Sequence, residues 1–389
     1  MKRQLKSLPI RLAGACMMLM LTLTSAYAGP REQAKRMHDR LAGVPPTETV
    51  LDAMATQISN GNPQAAANIA MENSAFYNVT LKNFVTPWTN RDADIFAPLN
   101  DYTATVIGMV RDDVPFNEVL SGDILYVADA SVGAPNYSSA NNDHYEDLER
   151  RDIDLRVNLV RTTQSSLTPL PPNATAGVMT TRAAAEAFFV AGTNRAMLRF
   201  TLMNHLCRDL EQVKDITRPP DRIRQDVSRS PGGDSRLFLN NCIGCHSGMD
   251  PLAQAFAYYN YNEETGSIEY TEGQVQPKYF NNESTFPFGF VTPNDEWNNY
   301  WRNGRHALVG WDESLPGTGT GAKSMGQELA NSAGFAQCQV RKVFRNVCLR
   351  EPVDANDRGQ IDLMVGSLTT NGYRLKQTFA EAATYCMGE

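Results

Sequence analysis

Apolar residues recur at helical spacing in the first third of the chain, again over Thr181 to Arg208 and after Phe335, and this rhythm breaks down in between. From Arg31 to about Ile58 the pattern predicts two helices. Ala34, Met37, His38 and Leu41 share one face before Gly43 and Pro45-Pro46 stop the first, and Thr47 caps a second that turns Val50, Leu51, Met54 and Ile58 inward. Helical stretches are also predicted over Pro63 to Phe84 and Tyr102 to Val110, with a short capped turn over Pro115 to Leu120. Between about Ala130 and Leu170 the chain is rich in Asn, Ser and Pro and reads as a long surface loop with short strands. Helical patterning returns over Thr181 to Arg208 and ends at Thr217-Arg218-Pro219-Pro220.

Asp221 to Gly233 reads as a linker broken by Pro231-Gly232-Gly233. Phe256 to Trp311 is crowded with Tyr, Phe and Trp between Gly, Pro and Asn turns, which predicts irregular structure with short hairpins. Pro316 to Gly321 reads as a flexible connector; it is not a phosphate loop, because Ala322 separates Gly321 from Lys323. Three helices follow, over Phe335 to Leu349, Asp354 to Leu368 and Gly372 to Cys386. The fold class is therefore mainly α, with no internal repeat.

The amino terminus changes the picture of the compartment. Lys2, Arg3, Lys6 and Arg11 precede an apolar run from Leu12 to Leu23 that ends in Ser25-Ala26-Tyr27-Ala28, the pattern of a secretory signal peptide (residues 1–28) cleaved near Ala28. As a helix that run spans only about 18 Å, too short for an anchor in roughly 30 Å of hydrocarbon. A lipoprotein signal ending at Cys16 lacks the usual upstream leucine. The expected location is the periplasm or the medium. Loss of four basic residues and no acidic one takes the formal charge from −7 to −11. Such a surface disfavours nucleic acid and suits redox partners with basic docking surfaces. No other stretch approaches the length of a membrane span.

The chemistry is concentrated at Cys242-Ile243-Gly244-Cys245-His246. In a C-x-x-C-H run two thiols can add to haem vinyl groups while the adjacent imidazole ligates iron, so one covalent haem c on Cys242, Cys245 and His246 is expected. Asp234 and Ser235 are read as capping a helix at whose end the cysteines fall. Competing readings are a thioredoxin-like dithiol, which lacks its strand and helix context, zinc held with Cys207 and His205, and a plain local disulfide. The motif divides the mature chain into a helical domain (29–220), a haem-binding segment (221–322) and a carboxy-terminal helical domain (323–389).

The residues around the motif resemble the planctomycete-type cytochrome c family. The likeness rests on Cys242 to Leu252 with its Asp250-Pro251 step, on Arg40-Leu41-Ala42-Gly43-Val44-Pro45-Pro46-Thr47, on Asp113-Val114-Pro115-Phe116, on Asn194-Arg195 and Leu206-Cys207, and on Gly326 to Arg350. This resemblance runs patchily over most of the mature chain and implies a fold and a cofactor more than a reaction.

Electron transfer is the leading function, with a haem enzyme whose sixth iron site is open as the alternative and a scaffolding role as a third. A second C-x-x-C-H is absent, which excludes two-haem chemistry within one chain. Met325, just past the Gly-rich connector, is the expected sixth ligand, and His306 the runner-up. Arg229 and Arg236 are candidate partners for haem propionates, since guanidinium matches carboxylate. Asp143, His144, Glu146 and Asp147 are read as solvated charge in a polar loop, and His38 and His205 as packing histidines. Of the remaining cysteines, Cys338 and Cys348 lie about 15 Å apart on one helix, and two helix reversals bring Cys386 back to Cys348. The expected bridges are thus Cys348–Cys386 and Cys207–Cys338.

Overall fold

In the computed structural model, which describes residues 28–189 and 193–388, each early helix starts and stops where its sequence dictates. The expected signal peptide lies, up to residue 27, outside the described residues. Pro30 opens α1 (Pro30–Ala42), where a missing N–H costs nothing, and Gly43 closes it at φ 72°. The Thr47 hydroxyl accepts from the Val50 N–H and starts α2 (Glu48–Ser59), and α3 (Pro63–Met71) again opens on a proline. A π turn over Phe76–Leu81 then directs Phe76, Tyr77 and Leu81 inward. Asn100 caps α4 (Asp101–Arg111), which is buried along almost its whole length and packs beneath a two-stranded ribbon of β1 (Leu125–Ala128) and β2 (Leu159–Thr162).

The segment expected to be a surface loop carries α5 (Asp143–Arg150). Tyr145 and Leu148, three residues apart, are both buried, and His144 is buried beside them, its Nε2 accepting from the Ala128 N–H and its Nδ1 lying 2.6 Å from the Pro135 carbonyl. The reading of this cluster as a polar loop is thereby corrected: with so few apolar positions, tertiary contacts make the helix. The stretch after Thr181 forms α6 (Arg182–Phe188) and α7 (Arg195–Leu206), with Asn194 in the left-handed region between them.

Asp234 accepts from the Arg236 N–H and begins a helical run that passes through a π turn at Phe238–Cys242 directly into α8 (Ile243–Ala253). The cysteines thus stand in the middle of the run, not at its end. The burial of Met249, Asp250, Leu252 and Ala253 is what carries the helix past them. The aromatic segment forms the expected hairpin, β3 (Tyr259–Asn262) against β4 (Ser267–Tyr270). The supposed flexible connector instead supplies a strand, because β5 (Glu296–Asn298) pairs with β6 (Thr318–Thr320), and Gly319 leaves room for the Trp297 indole, 2.9 Å from where a Cβ would stand.

The chain closes with α9 (Gly321–Ala330), α10 (Ala333–Cys348), α11 (Ala355–Thr370) and α12 (Leu375–Cys386). With 58% helix and 7% strand, the mainly α expectation holds. α12 returns to lie on α1, α3 and α10, with Phe379 edge-on to Phe76 and Phe84. Both expected bridges are present, Cys207–Cys338 tying α7 to α10 and Cys348–Cys386 tying α10 to α12, with Cα atoms 5.3 and 5.5 Å apart. One cluster of buried apolar side chains runs from Ala34 to Ala383 and includes Met249 and Trp301 from the central segment. Among the described residues no helix is long and apolar enough to cross a membrane.

Candidate functional site

Positions 242, 245 and 246 are three and four apart on a helix, so both thiols and the imidazole leave it on one face. Cys242 and Cys245 are free, whereas the other four described cysteines are bridged, which removes the local disulfide reading. The Cys245 sulfur lies 3.7 Å from the Leu210 carbonyl, and burial, with Glu211 nearby, pushes its thiol pKa up. The dithiol reading lacks its strand-to-helix context, since a helical run and not a strand leads into the motif. The zinc reading fails on its partners, since Cys207 is bonded to Cys338 and the Nε2 of buried His205 is 2.8 Å from the Tyr102 hydroxyl.

His246 is held from behind. Its Nδ1 is 3.1 Å from both oxygens of Asp250, one helical turn on, and the Asp250 side chain is fully enclosed. Arg195 grips that carboxylate through Nε at 2.8 Å and Nη2 at 3.1 Å, then uses Nη1 and Nη2 on Asp226 at 2.8 and 3.0 Å. Arg224 stands 3.7 Å from the same Asp226. Burial opposes the charge on Asp250, but Arg195, then His246 and Arg224, outweigh it and hold the carboxyl well below the usual range. Burial pulls Arg195 down and Asp250 more than restores it, so the guanidinium stays charged. Sequence reading missed Arg195, Asp226 and Asp250 as a unit. Asp250 had a local signal, four residues after His246, whereas Arg195, though part of the family likeness, lies 55 residues from Asp250 and nothing in the spacing paired the two.

The remaining expected site residues are engaged elsewhere. Arg229 donates to the carbonyls of Val227 and Ile223 and lies between the rings of Phe238 and Phe286, 4.9 and 4.4 Å from their centroids. Arg236 is exposed and paired with Asp234. Met325 is fully buried in the main core with Leu329 and Ala330, on a helix that packs chiefly on Phe116–Leu120, β6 and Gln254–Phe256. His306 is buried against Trp301, and its Nε2 accepts from the Arg305 Nε at 3.1 Å. A Cβ on Gly248 would meet the Trp301 indole at 2.1 Å. Gly248 is two residues from His246, about 200° around the helix, so Trp301 and His306 lie across α8 from the imidazole. His38 and His205 are buried packing histidines, as expected.

The donor set fits a covalent haem: two unbridged thiols and an imidazole whose Nδ1 is committed to a carboxylate, leaving Nε2 for iron. Leu239, three residues before Cys242 on the same helical run, is a large apolar side chain left 56% exposed, suited to contact with an apolar macrocycle. Set against family models, curated proteins and solved structures, the chain matches none.

Proposed function

We propose that this chain is an exported, single-haem c-type cytochrome that transfers electrons in the periplasm, akin to the planctomycete-type cytochromes its motifs resemble. The observation that carries the reading is that Cys242 and Cys245, alone among the described cysteines, are unbridged and share a helix face with His246. Haem bound there would supply a one-electron couple. The residues of the chain do the rest: the thiols anchor the group, His246 offers Nε2, Asp250 fixes the ring, and Arg236, exposed and paired with Asp234, would have to exchange that carboxylate for a propionate. The acidic mature chain suits a partner with a basic docking surface.

The sixth ligand, expected to be Met325, decides between this reading and its alternative, a haem enzyme with an open sixth site, and one observation favours the alternative. Met325 is enclosed with Leu329 and Ala330 as a core methionine is. Protein made in cells with a working cytochrome-maturation system should gain the mass of one haem, stable to acid-acetone extraction. Recovery of haem-free protein would remove the proposal. With Met325 as ligand, the oxidised protein has a weak far-red sulfur-to-iron band that Met325→Ala abolishes. A high-spin wild type that binds cyanide at once, with Met325→Ala spectrally silent, selects the enzyme.

A further inference from the structure

An imidazole that ligates through one nitrogen is tuned by what the other nitrogen touches. A backbone carbonyl is a neutral acceptor, whereas His246 meets a buried carboxylate whose two oxygens are equidistant at 3.1 Å. That carboxylate cannot swing away. Arg195 holds both of its oxygens and is itself held by both oxygens of Asp226, so each charged member is fixed at two points. Arg195 is shared with Asp226, which Arg224 also approaches at 3.7 Å, so within this balanced network Asp250 is the charged group that faces His246. Asp250 is thus a charged, immobile acceptor one helical turn from the motif.

We propose that Asp250 is a positioning residue for haem iron: by accepting the Nδ1–H of His246 it fixes the ring and tautomer, makes the imidazole a stronger donor, and lowers the reduction potential. The inference rests on the haem reading above. Stronger donation from the axial nitrogen favours ferric over ferrous iron, one of the few means by which a protein tunes a haem. It also gives the Asp250-Pro251 step after the motif a chemical role.

The test uses the full-length, haem-loaded protein in redox titration. Asp250→Asn keeps the shape and removes the charged acceptor; at a fixed applied potential the ferric-to-ferrous ratio should fall at least tenfold, about 59 mV for a one-electron couple. Asp226→Asn removes the same charge from the same network without touching His246, and should change the ratio less than threefold. Equal shifts in the two variants, or no shift in Asp250→Asn, overturn the proposal and reduce Asp250 to a structural ion pair. If Asp250→Asn does not fold, proton NMR of the wild type decides. A slowly exchanging, strongly downfield Nδ1–H supports the bond to a carboxylate, and a fast-exchanging one overturns it. A wild type without covalent haem overturns the functional reading itself, a result distinct from a loaded protein whose potential ignores Asp250.

Discussion

The helical body made by α1–α3 with α10–α12 and the segment around α8 are held together in different ways. In the body, Ala34, Met37, Leu41, Phe76 and Phe379 meet in an apolar core, and two disulfides pin α10 to its neighbours. Around α8 the tightest contacts are ionic or steric: Arg195 between two carboxylates, Arg229 between two phenyl rings, and Trp301 against the backbone of Gly248. Apolar packing is redundant, so the body tolerates change at many positions. An ion-pair network is not, because removing one member leaves another buried and unpaired. The contrast sets the second region apart as the one held in place by fixed charge.

Removing the bridges breaks the comparison most strongly. The Cys207–Cys338 bridge spans 131 residues and Cys348–Cys386 spans 38, so on a loop-entropy basis double Cys→Ala replacement should cost about 5 kcal/mol for the first and about 4 kcal/mol for the second. Denaturant unfolding measures both, and a larger loss for the shorter loop would mean that native-state geometry outweighs chain entropy. Next come two glycines, Gly326 on α9 beside the body and Gly248 on α8. A Cβ at Gly326 would stand 1.8 Å from the Leu120 carbonyl oxygen, which is backbone, so Gly326→Ala must push α9 away and should cost about 3 kcal/mol. At Gly248 the obstacle is the Trp301 indole, a side chain, so Gly248→Ala should cost less, about 1–2 kcal/mol, and shift tryptophan fluorescence. The reverse order would show the α8 region to be the more rigid.

The smallest effect tests the aromatic segment by pH. Lys278 donates to the Phe189 carbonyl and to Asn260, and burial, only partly offset by Glu269, brings its amine down to about 7. Above that pH the folded chain has released a proton that the unfolded chain keeps up to about 10.4, so stability rises with pH through this window. Lys278→Met removes the rise. The stability of wild type relative to the variant should grow by about 1 kcal/mol between about pH 7 and about pH 8. A constant difference would mean that the amine stays charged.

What was legible in the sequence divides along the same line. Local signals were enough for the body: periodicity and caps gave α1, α2 and α10–α12, helix reversal gave Cys348–Cys386, and elimination gave Cys207–Cys338. The C-x-x-C-H spacing likewise predicted three groups on one face. Long-range pairing was not legible. Tyr145 and Leu148 form a helix only because other elements bury them, Gly319 joins a strand only because Trp297 lies 22 residues earlier across the ribbon, and Arg195 finds Asp250 with no local signature. Met325 had a plausible position in the chain, yet its burial depends on Phe116–Leu120, which pattern alone could not bring near it.

The Cys207–Cys338 bridge has a topological consequence. Its two ends lie on either side of Cys242, Cys245 and His246, so the whole motif segment, aromatic hairpins included, is a covalently closed lasso hung from α7 and α10. A protease that cuts once within the exposed turns around Phe288 opens the lasso without freeing a fragment, and the two pieces migrate as one until the disulfides are reduced. The motif is therefore tethered to the helical body from both directions, by peptide bonds and by sulfur, and a single break in the chain leaves it captive.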